Sequence, residues 1–365
     1  MAINFLQLLQ QMRTIGASDL HLKTGAPPVY RVYGTLKAAA NEVLSKEDVK
    51  TILDRLVPAR LQSELHDKGG VDFAFSIDRA IRFRCNAYSQ RGVFSVAMRL
   101  LQNEFMSFEQ LHLPEVMYDI AQYKRGMILV TGPTGSGKST TMAAVVHYIN
   151  SNRSEHIITI EDPIEFVHED IKSLVQQREV GTDCESFGAA LKHALRQDPD
   201  VILVGEMRDR ETIQTATRAA MTGHLVISTL HTINAVQTVN RILKYFPPEE
   251  QASASNELAT ALRAVVAQRL VPAAGGQGRV PQLEILIVND MVRKLMRTGR
   301  IDDVDQVLRN GMDKMQHFDI ALVELVKKKL VDPAEAESFA EDVAAFRRLV
   351  KSGGSGGDRS GLISF

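Results

Sequence analysis

Four short apolar runs, each rich in β-branched residues, constrain the fold of this chain more than any other feature. They read MILVT from Met127, IITIE from Ile157, VILVGE from Val201 and LVISTL from Leu225, and a helix-compatible stretch separates each run from the next. Strands that are apolar along their whole length are typical of a parallel sheet that is covered by helices on both faces. The sequence therefore predicts an α/β domain built on a parallel sheet.

A glycine-rich segment follows the first of these runs. Residues 132–139 read GPTGSGKS and match the pattern G-x-x-x-x-G-K-[ST] of a phosphate-binding loop. A glycine-rich surface turn is the alternative, but the buried run before the segment and the helical TTMAAVVHYIN after it favour the loop. The expected contacts with ATP come from one stretch: Gly132, Thr134, Gly135, Ser136, Gly137, Lys138, Ser139 and Thr140. Lys138 is expected to reach the β- and γ-phosphates, and Ser139 to bind Mg²⁺.

Acidic residues follow two of the other runs. Glu161 and Asp162 end one run, and Glu206 ends another. A phosphate-binding loop needs acids nearby to hold Mg²⁺ and to position the attacking water, and ligands gather at the carboxyl ends of parallel strands. An isolated acid at a strand end is ordinarily a solvated turn residue. Gly205 occupies the position at which many such proteins carry an aspartate, so the division of roles between Glu161 and Glu206 stays open.

Two histidines flank the fourth run. His231 follows LVISTL and Gly223-His224 precedes it. A histidine at this position can donate a hydrogen bond to the γ-phosphate. The alternative is a core histidine that is bonded to a backbone carbonyl, which is the more common role for a single histidine.

The chain divides by pattern into four parts. Residues 1–101 alternate short strands with two helices, the first with Phe5, Leu8, Leu9 and Met12 on one face and the second opened by a capping box at Ser45. Residues 102–114 lose this regularity and are expected to form a linker. Residues 115–350 hold the parallel sheet and, from Asn234, a mostly helical part with a possible strand at LEILIV. The Gly/Ser-rich residues 351–365 are expected to be disordered.

Composition sets limits on function and location. Hydrophobic residues make up 44% and charged residues 24% of the chain, and the formal net charge is -1. A dedicated nucleic-acid binder would show a strong basic excess, so no nucleic-acid partner is expected. The two cysteines, Cys85 and Cys184, are far apart, which favours a reducing compartment over a disulfide framework or a zinc module. No signal peptide and no run of about 20 apolar residues occurs, so we expect a cytoplasmic protein.

The motifs in their order resemble the secretion ATPase superfamily, the GspE/PilT family. GPTGSGKST, TIEDPIEF, RQDPDVILVGEMRDRET and TGHLVISTLHT correspond to its Walker A, Asp, Walker B and His boxes, and GASDLHL with PPVYRVYG resembles its PilT branch. The resemblance implies a small PAS-like α/β N-terminal domain followed by a RecA-like P-loop domain. It also implies a general base at Glu161, an Mg²⁺ ligand at Glu206, and His-box histidines at His224 and His231. Arg84 and Arg99 reproduce the spacing of the family's nucleotide-facing arginines.

The resemblance further implies a homohexamer that hydrolyses ATP in the type IV pilus machine. Such a hexamer would lie at the cytoplasmic face of the inner membrane, against a platform protein of the PilC type. Because GASDLHL lies near the first residue and no tetracysteine motif occurs, we expect pilus retraction rather than assembly. HTINAVQTVNRILKYFPPEEQ leans partly toward the accessory PilU type, so a second reading stays open, that of an accessory or regulatory paralogue with a paralogous retraction ATPase as its partner. A translocase acting on DNA has little support from the net charge.

Overall fold

The computed structural model describes residues 4–77, 81–101, 105–276 and 278–351 of the chain. The chain forms two compact units. The first comprises Met1–Glu104 with Glu165–Val167, and the second comprises Phe105–Ile164 with His168–Phe365. The tail that the sequence predicts to be disordered lies, from residue 352 onward, outside the described residues.

The first unit is built on an antiparallel sheet. Its strands are β1 (Ala17–Lys23), β2 (Val29–Val32), β3 (Thr35–Ala38), β4 (Gly70–Ser76), β5 (Arg82–Gln90) and β6 (Val93–Leu100). They pair in the order β3-β2-β1-β6-β5-β4. β5 and β6 form the hairpin that the sequence predicts, with Gln90 paired to Val93 at its turn.

Three helices cover one face of this sheet: α1 (Phe5–Ile15), α2 (Lys46–Leu56) and α3 (Ala59–Lys68). The predicted apolar face of α1 is buried, and the predicted capping box opens α2, where Ser45 accepts from the Asp48 N–H. The side chains of β5 alternate in exposure. Phe83 and Cys85 are fully buried beneath the helices, while Arg84 between them is exposed. Side chains alternate between the faces of a strand. The other face of the sheet is therefore polar and carries arginines.

The second unit is built on a mostly parallel sheet. Its strands are β7 (Gly126–Thr131), β8 (His156–Glu161), β9 (Leu174–Glu179), β10 (Val201–Val204), β11 (Leu225–Leu230), β12 (Leu262–Pro272) and β13 (Arg279–Ile287). They pair in the order β13-β12-β7-β11-β10-β8-β9, and only the β12–β13 pair among them is antiparallel. The predicted α/β fold class is confirmed.

Two hydrophobic cores, one on each face of this sheet, explain why its central strands are apolar along their whole length. In β7, Met127 and Leu129 belong to a core on one face, whereas Ile128 and Val130 belong to a core on the other. Because alternate side chains point to opposite faces, both sets must be apolar when helices cover both faces. The helices are α4 (Val116–Ala121), α5 (Lys138–Asn152), α6 (Phe187–Ala194), α7 (Arg210–Met221), α8 (Ala235–Leu243), α9 (Gln251–Ala261), α10 (Asp290–Arg297), α11 (Val304–Arg309), α12 (Phe318–Lys327), α13 (Pro333–Glu337) and α14 (Val343–Lys351).

The mostly helical part that the sequence predicts from Asn234 contains one strand that the sequence analysis missed. α9 leads directly into the long strand β12, which pairs with β7. A short apolar run fits a buried helix or a buried strand equally well, and only the pairing decides. Of the predicted linker, residues 102–114, the described part begins at Phe105 and belongs to the second unit, where Phe108 and Leu113 are buried in the core. Within the described ranges, no helix has the length and apolar character that crossing a membrane requires.

Candidate functional site

The glycine-rich segment connects β7 to α5. Gly132, Gly135 and Gly137 have φ angles of 144°, 78° and 87°, which residues with a Cβ rarely adopt. The segment leads into α5, which begins at Lys138. The Lys138 ammonium donates to the carbonyl oxygens of Gly132 at 2.8 Å and Pro133 at 3.0 Å. The result is a compact turn at a helix N-terminus, the arrangement that holds phosphates in P-loop proteins.

Two of these glycines are also required by the space around them. A Cβ on Gly132 would lie 2.1 Å from the backbone oxygen of Gln268, and a Cβ on Gly137 would lie 2.8 Å from its side-chain nitrogen. Both separations are shorter than non-bonded atoms tolerate. The loop is therefore pressed against Gln268 of β12 at two points, and only glycine fits there.

Gln268 joins the loop to α5 through both ends of its carboxamide. Its Nε2 donates to the carbonyl of Ser136 at 2.7 Å, and its Oε1 accepts from the Thr141 hydroxyl at 2.7 Å. The side chain is buried. The sequence analysis missed this residue because β12 itself was not predicted, and only its pairing with β7 brings Gln268 beneath the loop.

The loop fits the phosphates of a nucleotide. The Ser136 hydroxyl is buried and has no hydrogen-bond partner within the described part of the chain. The N–H groups of the first turn of α5 have no partners inside their own helix, as at every helix start. Ser139 and Thr140 are half-buried, and Thr134 is exposed. Phosphate oxygens are acceptors that match such donors, and Mg²⁺ accepts a hydroxyl such as that of Ser139 beside them.

The other predicted residues of this unit lie at successive strand ends. β7, β11, β10 and β8 are neighbours in this order and are parallel. Their carboxyl ends therefore share one edge of the sheet, where His231 follows β11, Glu206 lies beyond β10 and Glu161 ends β8. Because neighbouring strands are about 4.8 Å apart, the strand order places His231 nearest to the loop and Glu161 farthest from it.

Glu206 is the centre of a charged cluster. Nε2 of His231 lies 3.4 Å from its Oε1, and Arg208 Nε donates to its Oε2 at 2.8 Å. Arg208 also lies 3.6 Å from Asp162, so it bridges the residues that follow β10 and β8. The hydrogen bond to Glu206 raises the pKa of Arg208. Arg208 was not among the predicted site residues, since nothing in its local pattern indicates this bridge.

Glu161 accepts hydrogen bonds from two neighbouring strands. Its Oε1 accepts from the Thr159 hydroxyl at 2.6 Å and from Gln177 Nε2 at 3.1 Å. Thr159 lies on β8 and Gln177 on β9, a strand that the sequence analysis did not identify. The two strands together orient this carboxylate.

Little space is left for a side chain at Gly205, the position at which many P-loop proteins carry an aspartate. A Cβ there would lie 3.2 Å from the Ile160 carbonyl oxygen and 3.4 Å from Cα of Glu161 and from the Phe187 ring. Its N–H donates to the same Ile160 oxygen at 2.7 Å. A larger side chain would press on the end of β8, and the carboxylate that follows β10 is that of Glu206.

His224 lies at the opposite edge of the sheet. The sequence analysis names both His224 and His231 as candidate catalytic residues, and the structure places them at opposite ends of β11. His224 precedes β11 and His231 follows it, so the 6 residues of the strand lie between them and the two are about 23 Å apart at about 3.3 Å per residue step. Its Nδ1 lies 3.0 Å from the carbonyl oxygen of Ala219. This contact is the backbone role that the sequence analysis kept as the alternative for such a histidine.

Arg84 and Arg99 belong to the first unit. They lie directly opposite each other on β5 and β6, and both are exposed. Arg99 Nε donates to Oδ1 of the buried Asp19 at 2.8 Å. Burial opposes ionisation of Asp19, but hydrogen bonds from Ser18 and Arg99 outweigh it and lower the pKa of this carboxyl. One arginine of the pair is therefore anchored by a carboxylate on β1.

The second unit has a glycine-rich loop between a buried strand and a helix, with carboxylates at the ends of neighbouring parallel strands. This combination defines a P-loop ATPase. A family model described as type II/IV secretion system protein matches residues 5–353. The chain belongs to this family, as the order of its motifs predicts.

Its relatives include proteins of type IV pilus systems. The type IV pilus retraction ATPase PilT of Pseudomonas aeruginosa is 42% identical over 327 residues, which cover 89% of this chain and 95% of the relative. The twitching motility protein of Neisseria gonorrhoeae is 43% identical over 316 residues, or 86% and 84% of the two chains. The type IV pilus ATPase PilU of Pseudomonas aeruginosa is 36% identical over 352 residues, or 96% and 92%.

Solved structures of ATPases also match this chain. The crystal structure of the pilus retraction motor PilT with bound ADP matches with a TM-score of 0.87 and 43% identity, covering 95% of this chain and 99% of that one. The Legionella pneumophila ATPase DotB matches with a TM-score of 0.74 and 28% identity, covering 91% and 94%.

Proposed function

We propose that this chain is the ATP-driven motor of type IV pilus retraction. The observation that carries the proposal is its similarity to a protein named as a retraction ATPase, at 42% identity over 95% of that protein's length. The loop around Lys138 and the two strand-end glutamates supply what ATP hydrolysis requires. A motor that couples hydrolysis to retraction accounts for both observations.

In the proposed reaction the loop binds the phosphates of ATP through its backbone N–H groups and Lys138. Ser139 and Glu206 hold Mg²⁺, which neutralises charge on the phosphates when it is bound. Glu161 accepts a proton from the attacking water as the general base. His231 lies between the loop and Glu206 in the strand order, where its side chain can donate to the γ-phosphate. The contact between His231 and Glu206 supports a joint role.

We place Arg84 and Arg99 in the site of a neighbouring subunit. Charge that develops on a transferred phosphoryl group is stabilised by arginines, an effect worth about 10³ or more in rate. The two guanidinium groups share the polar face of the first unit, and Asp19 anchors one of them. A closed homohexamer supplies each phosphate loop with this pair from the adjacent chain.

The proposed hexamer works at the cytoplasmic face of the inner membrane. Its partner there is a platform protein of the PilC type, on which the ring exerts force. A formal net charge of -1 gives no support to a nucleic-acid partner.

A second candidate is an accessory ATPase of the PilU type. It is favoured by the similarity to PilU, which at 36% identity covers 96% of this chain. An accessory protein would modulate retraction while another ATPase drives it. The two candidate functions differ in whether this chain drives retraction without another ATPase.

Deletion of the gene tests both candidates. Loss of the main retraction motor leaves cells that are piliated but unable to twitch, and restoring the gene restores twitching, whereas a Lys138→Ala copy does not. Cells without pili would contradict the proposal and indicate an assembly motor. Twitching that persists at reduced force would favour the accessory role. Steady-state ATP turnover of the purified chain provides the matching biochemical measurement.

A further inference from the structure

We propose that Gln268 is the positioning residue that holds the phosphate loop in its binding conformation. The inference rests on the proposed nucleotide-binding role of residues 132–139. Gln268 comes from β12, more than a hundred positions along the chain from the loop. Its side chain nonetheless links the loop and the first turn of α5, through Ser136 and Thr141.

The carboxamide is the chemical group that this position demands. The Ser136 carbonyl needs a donor and the Thr141 hydroxyl needs an acceptor, and both bonds are 2.7 Å long. An amide side chain offers both functions on one planar group. A glutamate would keep the acceptor and lose the donor, and a methionine of similar length would lose both. Because Gln268 is buried, each lost bond would leave an unsatisfied polar group without access to water.

The bond to Ser136 also fixes the direction of an N–H group that can donate a hydrogen bond to a phosphate. In a trans peptide the C=O and the following N–H point in opposite directions. Gln268 draws the Ser136 carbonyl toward β12, so the N–H of Gly137 points away from β12. This N–H lies at the start of α5, where helix N–H groups are suited to bind phosphate oxygens. Rotation of this peptide would turn a donor away and present a carbonyl oxygen to the phosphates.

The strand that carries Gln268 is anchored on its other face. Arg269 lies 4.1 Å from the centre of the Phe318 ring and donates to the carbonyl of Phe339 at 2.9 Å. Successive side chains of a strand point to opposite faces. Gln268 therefore contacts the loop while Arg269 fixes the same segment of β12 to the C-terminal helices. This gives the loop a rigid support.

The test is the Gln268→Met variant with Asn150→Leu as a matched control. Asn150 is also a buried amide, and it bonds the Glu169 carbonyl and the N–H groups of Ile171 and Ser173 near the C-terminal end of α5. Both variants replace a core amide by an apolar side chain of similar size and remove its hydrogen bonds. We expect Gln268→Met to raise the KM for ATP and the Kd for ADP about tenfold or more, since small displacements of binding groups have large effects. The control is expected to change both constants less than about threefold at a comparable loss of Tm.

Equal changes in the two variants, in proportion to their loss of Tm, would overturn the proposal. If Gln268→Met does not fold, Gln268→Glu replaces it, because that variant keeps the bond from Thr141 and loses only the donor to Ser136. A double-mutant cycle with Thr141→Val is expected to be non-additive in ADP binding, and additivity would contradict the bridge. Lys138→Ala tests the proposed function of the loop separately from the role of Gln268. If this variant binds and hydrolyses ATP normally, the proposed function of the loop fails, whereas an effect of Lys138 without one of Gln268 overturns only the present inference.

Discussion

Nε2 of His231 lies 3.4 Å from Oε1 of Glu206, at the ends of two neighbouring strands. The hydroxyl of Thr229, near the end of the same strand as His231, donates to the Gly205 carbonyl at 2.6 Å and so holds the two strand ends together. β11 lies next to the strand of the phosphate loop and β10 lies beyond it. A group that Glu206 binds therefore comes within reach of His231 as well.

Lys138→Ala is expected to abolish ATP turnover and leave the fold intact. The ammonium bonds two loop carbonyls and supplies the charge for phosphate, but the core does not depend on it. An ATPase assay and far-UV circular dichroism measure the two properties together. Lys192→Ala serves as the control, because that lysine is exposed on α6 and pairs with Glu211, away from the loop. Wild-type turnover in Lys138→Ala would refute the assignment of the loop.

Glu161→Gln is expected to trap ATP. The amide keeps the shape of the side chain but cannot accept a proton from water, so hydrolysis falls by about 10² or more while nucleotide binding persists. Turnover and binding of a fluorescent nucleotide are compared in the same preparation. Unchanged hydrolysis would remove Glu161 from the role of general base.

Glu206→Gln is expected to weaken the binding of Mg²⁺ instead, so that turnover depends on a higher concentration of the ion. A neutral amide binds the ion less strongly than a carboxylate, so the Mg²⁺ concentration for half-maximal turnover rises. A magnesium titration of the ATPase rate measures this shift. If Glu161→Gln shifts the titration and Glu206→Gln traps ATP, the two roles are reversed.

Arg99→Ala and Lys138→Ala are each expected to be inactive alone and partly active when mixed. In mixed rings some sites combine an intact loop from one chain with an intact arginine pair from the next. Turnover is measured as a function of mixing ratio after subunit exchange has been verified. Arg60→Ala, on α3 and away from the polar sheet face, is the control for a surface arginine of the first unit. Absence of recovery in rings that demonstrably exchange would count against arginines supplied by a neighbour.

Glu284 is expected to make the stability of the chain fall as the pH rises. Burial raises the pKa of this carboxyl to about 7 from its ordinary value of 4.5, although it accepts the Ala235 N–H at 2.7 Å. Between these two values the folded chain holds a proton that the unfolded chain releases, so rising pH favours unfolding. The Tm of Glu284→Gln relative to wild type is therefore expected to be higher at pH 8 than at pH 5.

Thermal unfolding at both pH values tests this expectation. Glu324→Gln is the control, since Glu324 is half exposed on α12 and pairs with Lys327. Its Tm difference from wild type is expected to stay constant. A constant difference for Glu284→Gln as well would contradict a raised pKa in the folded chain.

The local patterns of the sequence were sufficient to identify the central strands, the phosphate loop and the family. Each of these signals is contained within a short stretch, such as the apolar run from Met127 or the spacing from Gly132 to Ser139. Parallel strands bring their carboxyl ends to one edge of the sheet. The placement of Glu161, Glu206 and His231 at that edge therefore follows from their positions at the ends of predicted strands.

Other features of the site depend on contacts between distant parts of the chain, which only the tertiary structure decided. The pairing of β12 with β7 places Gln268 under the loop, and the adjacent ends of β8 and β10 bring Arg208 to both Asp162 and Glu206. The same geometry separates His224 from His231 by the length of a strand, although the His box contains both. Periodicity reports which faces of an element are apolar, but it does not report which elements are neighbours. Strand order and register are decided by packing over the whole unit, and the support of the loop depends on them.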